Sequence, residues 1–482
     1  MRRRKPNLPV FENIEIIDAG SEGKAVARID DKVIFIPYVV PGDIVDVKIV
    51  KKRKSYFEGK AIKIHKYSDL RVDPLCSHFG LCGGCKWQNL TYEKQLFYKQ
   101  KQVFDNFTRI GKFQFPEILP IIPSKNQYYY RNKIEFTFSN KKWLTDLSQE
   151  DFESKERTMN GLGFHIPGMF NRIVDIDHCY LQKEPTNEIR LAIKKFALEN
   201  NLTFYNVNKW EGLLRNLIIR NTSTGELMVI MIFRYNEKEN IEKLMNFIAG
   251  KFPEITSLMY IVNEKRNDDL SDQKPVLFKG KDFIVEKMTN DFGSENKTLE
   301  FKIGPLSFFQ TNSFQANRLY ETAINFAGFK GNETVYDLYT GTGTIANYIA
   351  SSVKKVIGIE YVESSVEDAK INTKLNKITN IEFFAGVMEK ILNEDFFEKH
   401  GKPDVIITDP PRAGMHDKVI KQILQVQPDR IVYVSCNPAT QARDIALMDK
   451  DYYVDKVQPV DMFPQTHHVE NVVLLKLRES EN

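Results

Sequence analysis

Cys436 is the residue of this sequence best placed to act as a nucleophile. It follows the apolar run 430–435 and precedes Asn437 and Pro438, so it comes at the end of a predicted strand. A thiolate can add to an electron-poor carbon, and the adduct then needs a separate base before the thiolate can leave. Buried structural cysteines are common, so the interpretation depends on what else lies at the same edge of the sheet.

A second polar segment, 409–412 (DPPR), also follows a predicted strand, 404–408. The carboxyl ends of parallel strands meet at one edge of a sheet, where α/β proteins bind their ligands. Enzymes that methylate exocyclic nitrogens have an aromatic residue at the last position of this motif, and Arg412 stands there instead. An arginine and a cysteine favour a carbon target, namely C5 of uracil after a thiolate has added to C6.

The segment 335–344 (VYDLYTGTGT) predicts a cofactor loop between a strand and a helix. Gly341 and Gly343 allow the backbone to approach a ligand closely. The next predicted strand ends in Glu360, 17 residues beyond Gly343, close to the spacing at which a carboxylate binds ribose hydroxyls. The arrangement resembles class I S-adenosylmethionine methyltransferases, and these residues alone leave a nucleotide-binding dehydrogenase open.

The other four cysteines form a separate group, in which three lie close together in a loop-like segment and one lies far downstream. An odd total of 5 in a chain of 482 residues without a secretory pattern makes a disulfide framework a poor explanation. Four thiolates suit either a structural zinc or a [4Fe–4S] cluster, and their spacing does not separate the two. These cysteines are Cys76, Cys82, Cys85 and Cys179.

The positive charge of the chain is concentrated at its N-terminal end. Residues 1–70 hold 15 Lys and Arg against 10 Asp and Glu, whereas the remainder holds 53 against 54. Five short predicted strands between residues 10 and 65 (14–17, 25–29, 33–36, 44–50 and 56–64) indicate a small β-barrel, with the basic run 51–54 on or just after the fourth. This pattern resembles the TRAM domain of RNA-modifying enzymes, although a solvated basic face would look the same.

The remaining segments predict a multidomain chain. Residues 92–110 are predicted to be helical. Between 120 and 300, strand-like segments are mixed with helical ones, and beyond 301 strands alternate with helices. We therefore predict an OB-like barrel (1–66), a central α+β domain with the cluster-binding cysteines (67–300) and a Rossmann-like methyltransferase domain (301–482). No apolar run approaches the roughly 18 residues of a membrane helix, so a cytoplasmic protein without membrane association, monomeric by default, is expected.

Four segments together resemble the RNA uridine-5-methyltransferase family over nearly the whole chain: 308–312 (FFQTN), 409–412 (DPPR), 435–438 (SCNP) and 461–470 (DMFPQTHHVE). Within that family, the 23S rRNA enzymes with a TRAM domain and an iron–sulfur cluster are most similar. The resemblance implies that Cys436 is the nucleophile and that Glu470 takes the C5 proton. From the residues alone, Glu470 could equally be a surface acid before the last strand.

The same resemblance implies the ligands of both cofactors. It places S-adenosylmethionine on Gln310, Tyr339, Glu360 and Asp409, and a [4Fe–4S] cluster on Cys76, Cys82, Cys85 and Cys179. Three positions depart from the usual family pattern: Thr340 replaces a cysteine, Thr344 an asparagine, and Gln465 a histidine of several members. Since Thr340 and Thr344 do not perform the chemistry, altered cofactor contacts with retained activity are expected.

The RNA substrate is expected to be 23S rRNA, because tRNA uridine-5-methyltransferases of bacteria generally resemble only the later part of this chain. A tRNA enzyme is the first alternative. The second alternative is a noncatalytic RNA-binding iron–sulfur protein. The cluster 128–133 (YYYRNK) mixes rings and basic groups that suit stacked bases and phosphates, and an ordinary half-buried strand start explains it equally well.

Overall fold

The computed structural model describes residues 8–144, 159–290 and 297–479. Three large sheets follow one another along the chain, and a two-stranded hairpin lies between the second and the third. Residues 2–5 (RRRK), which contribute to the positive charge of the N-terminal end, lie outside these ranges. Within them, none of the helices combines the length and the apolar character that a membrane crossing requires.

The first sheet has six strands in the order β1-β5-β6-β4-β3-β2, one more than expected. The predicted first strand, 14–17, is divided because the chain changes partner there: Ile16 N–H donates to the carbonyl of Asp43, whereas Ile17 N–H donates to Val26. β1 also contacts β3, so the sheet curls around its own apolar core. The strands are β1 (Val10–Glu15), β2 (Asp18–Ala19), β3 (Ala25–Ile29), β4 (Lys32–Ile36), β5 (Ile44–Lys52) and β6 (Tyr56–Lys66).

The basic run 51–54 lies at the end of β5 and in the turn that follows, and all of its side chains are exposed. The cysteine-bearing segment 67–90 is loop, as predicted. Helix α1 (Tyr92–Asn106) follows it and continues as a π-helical turn (Phe107–Gly111) that ends at Lys112 in the left-handed conformation. The predicted helical run 92–110 is therefore confirmed, with a change of helical type in its last turn.

The second sheet has seven strands in the order β13-β12-β11-β10-β7-β8-β9. Every residue of β11 is buried, because alternate side chains enter two different cores. Val229 and Met231 pack with the two helices of this region, whereas Met228 and Ile230 pack towards the C-terminal sheet. The elements are β7 (Lys133–Ser139), β8 (Gly161–Ile166), β9 (Met169–Asp175), α2 (Thr186–Glu199), β10 (Leu214–Asn221), β11 (Leu227–Phe233), α3 (Lys238–Lys251), β12 (Ser257–Val262) and β13 (Val276–Gly280).

A hairpin links the second and third sheets. Its strands, β14 (Ile284–Asn290) and β15 (Lys297–Ile303), pair with each other, and the predicted domain boundary at residue 300 falls inside β15. Ile284 and Phe301 belong to the same core as Ile218 of the second sheet and Val335 of the third. The central and C-terminal regions thus share one hydrophobic core, and the domain limits drawn from the sequence stay a prediction.

The third sheet has the order β18-β17-β16-β19-β20-β22-β21. The first five strands are parallel, and β22 and β21 add antiparallel pairs. Apolar clusters cover both faces, as the alternation of strands and helices predicted. The helices are α4 (Ser313–Ala327), α5 (Thr344–Ile349), α6 (Glu363–Leu375), α7 (Met388–Ile391), α8 (Glu394–His400), α9 (Asp417–Val426) and α10 (Pro438–Met448). The strands are β16 (Thr334–Leu338), β17 (Lys355–Glu360), β18 (Ile381–Ala385), β19 (Val405–Thr408), β20 (Arg430–Ser435), β21 (Tyr452–Val460) and β22 (Glu470–Leu477).

Candidate active site

The carboxyl edge of the third sheet brings together most of the residues singled out from the sequence. Tyr339 follows β16, Glu360 ends β17, Asp409 follows β19 and Cys436 follows β20. β22 runs antiparallel to β20, so its first residue, Glu470, lies at the same edge.

The register of β20 and β22 determines how Cys436 and Glu470 lie relative to each other. Ser435, the last residue of β20, is paired with Asn471, so Cys436 and Glu470 each adjoin this last pair at the edge of the sheet, and Glu470 is close enough to raise the pKa of Cys436. Cys436 is half-buried, whereas the Glu470 side chain is buried within the sheet edge. A thiol that a substrate can reach therefore stands beside a carboxyl group that is shielded from water.

The cofactor loop after β16 forms an open cradle. Tyr339, Gly341 and Gly343 all adopt positive φ angles, of 64°, 56° and 76°. A Cβ added at Gly343 would come within 2.9 Å of the Ala369 side chain, which explains glycine there. At Gly341 an added Cβ would meet nothing within 4 Å, so the loop leaves space for a ligand.

Glu360 borders this cradle. Its carboxylate accepts hydrogen bonds from the backbone N–H of Gly341 at 3.0 Å and of Val362 at 2.9 Å. The half-buried carboxylate is held beside the glycine loop in the position from which such an acid binds ribose hydroxyls. The donor set and the open space fit an adenosine-bearing cofactor.

Asp337 belongs to the motif 335–344 but was not among the predicted site residues; it lies in β16, directly before the loop. Its carboxylate accepts hydrogen bonds from Thr340 Oγ1 at 2.5 Å and from Ala346 N–H at 3.1 Å. Burial raises the pKa of Asp337 to about 7. Thr340, one of the departures from the family pattern, therefore contributes its hydroxyl to the interior of the loop.

Acidic groups crowd the edge beside Cys436. Burial raises the pKa of both Asp409 and Glu470, and the negative charge of Asp409 raises that of Glu470 further. Burial together with these two carboxylates raises the pKa of Cys436 to about 11, whereas the Arg412 guanidinium acts in the opposite direction. Arg412 is thus the cation that counteracts the local excess of negative charge.

The loop that carries Arg412 is tied to the loop that carries Cys436. Asn437 Nδ2 donates to the Arg412 carbonyl at 2.9 Å, and Thr440 Oγ1 donates to the same carbonyl at 3.2 Å. Asn437 also caps α10 through the N–H of Ala439. The sequence order Cys-Asn-Pro therefore has a local cause, because Asn437 holds the DPPR segment and begins the helix behind the thiol.

Gln310 lies in the segment before α4, and contacts of its neighbours hold this segment in place. The Gln310 backbone carbonyl accepts a hydrogen bond from Asn132 Nδ2 at 2.8 Å, and Asn312 Nδ2 donates to the carbonyl of Met462 at 3.0 Å. Tyr320, within α4, is buried, and the acids of the edge, Asp409 among them, help to raise its pKa. These contacts connect the Gln310 segment to the edge that holds the acids.

The 128–133 cluster makes largely structural contacts. The Tyr130 hydroxyl donates to the carbonyl of Pro464 at 2.9 Å, and Tyr129 N–H pairs with Tyr180. Asn132 holds the Gln310 segment as described above. The interpretation as a half-buried strand start accounts for these residues. Tyr130 and Asn132 also connect the central sheet with two loops at the carboxyl edge of the third sheet.

The four remaining cysteines line one cavity of about 290 Å³ between the loop 76–90 and the second sheet. Cys179 is buried, and Cys76, Cys82 and Cys85 are half-buried. Burial, together with the neighbouring thiols of the group, raises the pKa of Cys82 to about 12 and that of Cys85 to about 11. Across the described ranges, no three His, Cys, Asp or Glu side chains lie close enough to hold a single metal ion. The cysteines thus surround a shared space without touching a common point.

Comparison with known proteins adds to this geometry. The family model described as tRNA (Uracil-5-)-methyltransferase matches residues 224–478, and the TRAM domain model matches residues 12–62. A protein of Bacteroides thetaiotaomicron described as an uncharacterized RNA methyltransferase is 55% identical over 95% of this chain and 100% of its own length. A protein of Porphyromonas gingivalis with the same description is 51% identical over 96% of this chain and 99% of its own length.

A solved structure is similar over almost the full length. The Pyrococcus abyssi tRNA (uracil-54, C5)-methyltransferase in complex with S-adenosyl-L-homocysteine is 29% identical, with a TM-score of 0.72. The match covers 96% of this chain and 99% of that one. The predicted fold is thus confirmed for the TRAM domain and for the S-adenosylmethionine-dependent methyltransferase domain. With the edge of the third sheet and both family models in agreement, the chain belongs to the family of S-adenosylmethionine-dependent RNA uracil-5-methyltransferases that carry a TRAM domain.

Proposed function

We propose that this enzyme methylates C5 of a specific uridine through a covalent bond between Cys436 and C6 of the base. The observation that carries the proposal is the register of β20 and β22, in which Ser435 pairs with Asn471, so that the neighbouring Cys436 and Glu470 lie at the same edge of the sheet. A nucleophile and a base on facing strands match the two separate roles that this chemistry needs.

In the first step, the Cys436 thiolate adds to C6 of the uracil, and C5 becomes an enolate-like carbon. S-adenosylmethionine, when bound, supplies the methyl group that C5 takes up. Glu470 then removes the C5 proton, the electron pair restores the C5–C6 double bond, and the C6–S bond breaks to release Cys436. The base must act in its carboxylate form, and the nucleophile in its thiolate form.

Arg412 supports this sequence electrostatically. The burial that raises the pKa of Cys436 to about 11 disfavours the thiolate, whereas Arg412 favours it and also favours the carboxylate of Glu470. A cation at this position therefore promotes both reactive forms. This agrees with the chemical reason for an arginine where nitrogen-methylating enzymes have an aromatic residue.

We assign S-adenosylmethionine to the edge that Gln310, Tyr339, Glu360 and Asp409 border. The open space at Gly341 and the carboxylate of Glu360 beside it support the assignment. Tyr339 is half-buried and lies between β16 and the glycines of the loop. Asp409 follows β19, the strand next to β16 in the sheet. In this arrangement the cofactor lies between the glycine loop and Cys436.

We further assign a [4Fe–4S] cluster to Cys76, Cys82, Cys85 and Cys179. The four thiols line one cavity, which supports a single group bound among them, and the choice of a cluster over zinc follows the resemblance to the rRNA enzymes. Burial makes their thiolates unfavourable without a compensating positive charge, as metal-bound thiolates require. Since the transfer chemistry belongs to Cys436, the cluster would serve structure or RNA positioning.

For the RNA, we propose 23S rRNA as the first substrate, on the resemblance to the rRNA enzymes that combine a TRAM domain with the same cysteine spacing. A tRNA uridine is the second candidate, and a specific observation favours it. The tRNA methyltransferase from Pyrococcus abyssi aligns over 96% of this chain. The presence of the N-terminal sheet therefore does not discriminate between the two RNA classes.

The test is to offer the purified enzyme 23S rRNA and tRNA in which 5-fluorouridine replaces uridine, together with methyl-labelled S-adenosylmethionine. Fluorine at C5 cannot be removed as a proton, so the true substrate is expected to stay covalently bound to the protein after denaturation. Labelled adduct with 23S rRNA alone supports the first candidate, and adduct with tRNA alone supports the second. Methylation of either RNA without an adduct would refute the covalent mechanism.

A further inference from the structure

The loop 461–469 leads directly into Glu470, and helix α1, from the other end of the chain, holds it in place. We propose that Gln95 of α1 is a positioning residue for Glu470 and that it acts through Gln465. The inference rests on the proposed function, in which Glu470 removes the C5 proton. It concerns a contact between residues 370 positions apart in the sequence.

Gln465 has a backbone conformation that needs support. Its φ angle is 67°, in the left-handed region that side-chain-bearing residues rarely adopt. Such a conformation persists where surrounding contacts determine it, and it is concentrated at functional sites. Gln465 is buried, so those contacts must come from the protein itself.

Gln95 supplies them through a reciprocal amide pair. Gln95 Oε1 accepts from the backbone N–H of Gln465 at 2.9 Å, and Gln95 Nε2 donates to Gln465 Oε1 at 3.0 Å. Gln95 Nε2 also donates to the carbonyls of Trp87 and Leu90, so Gln95 is itself fixed. The Gln465 carbonyl accepts from the N–H groups of Lys86 and Trp87 at 2.9 and 3.1 Å. The backbone N–H, the carbonyl and the side-chain oxygen of Gln465 are thus paired.

A second contact from α1 fixes the start of the same loop. Lys99 Nζ lies 2.6 Å from Asp461 Oδ1, and the Tyr92 hydroxyl donates to Asp461 Oδ2 at 2.8 Å. Lys99 and Asp461 are fully buried, and a buried pair of this kind fixes geometry because separating it leaves an uncompensated charge. α1 therefore holds the loop at Asp461 and again at Gln465, five residues before Glu470.

Positioning matters more for Glu470 than for most buried acids. A base must come within about 2.6–3.2 Å of the atom whose proton it takes. Asp409 raises the pKa of Glu470 and so disfavours the carboxylate form that the reaction needs. The amide pair between Gln95 and Gln465 fixes the loop that precedes Glu470, and its loss should affect proton removal while the attack by Cys436 continues.

The test uses the full-length enzyme, the natural RNA with ordinary uridine, and S-adenosylmethionine. In Gln95→Met, which keeps the volume but cannot form the amide pair, release of the product should slow by about 10- to 100-fold. A denaturation-resistant enzyme–RNA adduct carrying the methyl group should accumulate, while the rate of adduct formation stays within about twofold of the wild type. Glu470→Gln serves as the reference that accumulates the same adduct.

Two further variants keep the test decisive. Gln465→Asn tolerates the left-handed backbone and keeps the backbone bond to Gln95, but its side chain is too short to accept from Gln95 Nε2, so it should accumulate adduct to a smaller extent even if Gln95→Met folds poorly. Gln102→Met changes the same residue type two turns along α1, where the described contacts include no hydrogen bond to the loop, and it should behave as the wild type.

The positioning role is overturned if Glu470→Gln accumulates adduct and neither Gln95→Met nor Gln465→Asn does. It is also overturned if both variants lose adduct formation and product release equally, as a general loss of structure would cause. Absence of adduct in Glu470→Gln, with methylated RNA still formed, would instead refute the proposed role of Glu470 and this inference with it. The two failures are therefore distinguishable.

Discussion

The chain holds thiols in two regions, and burial raises their pKa in both. At the edge of the third sheet, Cys436 stands alone, with an arginine and two carboxyl groups as its charged neighbours. In the cavity beside the second sheet, three other thiols raise the pKa of Cys82. Cations also lie nearby, since Arg131 lowers the pKa of Cys85 and Cys179. The same residue type, similarly buried, is thus surrounded by unlike groups.

The difference indicates what each region can do. A single thiol with a cation nearby and a carboxyl group on the facing strand can form and break a bond to carbon. Four thiols that repel one another's charge need a positive group among them before they can all ionise. Local surroundings, rather than burial or thiol pKa alone, separate the proposed nucleophile from the proposed cluster ligands.

The largest effect is expected for Cys436→Ala. Without the thiol, C5 is not activated, and methyl transfer should fall by at least about 10³-fold. Labelled S-adenosylmethionine measures the rate, and Cys82→Ala serves as the matched control at the other region. A noncatalytic RNA-binding protein would keep its full function in Cys436→Ala. Retained function in this variant would therefore contradict the assignment of Cys436 as the nucleophile.

Glu470→Gln is expected to have the next largest effect. The amide cannot take the C5 proton, and turnover should fall by about 10²- to 10⁴-fold. Adduct formation should continue, because Cys436 keeps its place and loses a neighbouring carboxyl group that disfavours the thiolate. Gel analysis of denatured enzyme and RNA measures the two quantities; a variant that turns over normally would contradict the assignment.

Cys179→Ser tests whether the cysteines beside the second sheet bind a cluster. Cys179 is buried in the wall of the cavity, so a serine there should abolish iron binding and the absorption of a cluster. Iron analysis after anaerobic reconstitution checks this, with Cys436→Ser expected to bind iron as the wild type does. Zinc bound in place of iron by the wild type would overturn the cluster assignment.

The smallest effect is expected for Arg412→Met. Arg412 favours the Cys436 thiolate, so its removal raises the pKa of Cys436 further above its present value of about 11. Since activity needs the thiolate, the rising limb of kcat/KM against pH should move to higher pH, with a few-fold loss near neutrality. Arg109→Met, an exposed arginine in the turn after α1, is the control; an unchanged pH profile in Arg412→Met would contradict the electrostatic role.

Much of the catalytic edge could be predicted from local pattern. Strands and helices alternate with clear boundaries beyond residue 333, and polar residues at Glu360, Asp409 and Cys436 come at strand ends, which meet in any parallel sheet. Glu470 could not be placed that way. It begins an antiparallel strand, and only the register with β20 brings it to the same edge.

Other features depend on contacts between distant parts of the chain, which local patterns do not encode. The β14–β15 hairpin was missed although its strands alternate buried and more exposed residues, because the buried position between Ile284 and Met288 is taken by a glutamate, Glu286, which interrupts the apolar pattern in the sequence. The role of Gln465 was missed too, since its partner Gln95 lies in α1. The division of the predicted first strand at Ile16 likewise follows from a change of pairing partner.

The most direct test is to identify the cysteine that carries the trapped nucleotide. Enzyme bound to 5-fluorouridine-substituted RNA would be digested with protease and nuclease, and the modified peptide would be sequenced by mass spectrometry. The account predicts a methylated 5-fluorouridine on the peptide that contains Cys436 and on no other. A nucleotide attached to Cys76, Cys82, Cys85 or Cys179, or methylated RNA with no modified peptide, would contradict it.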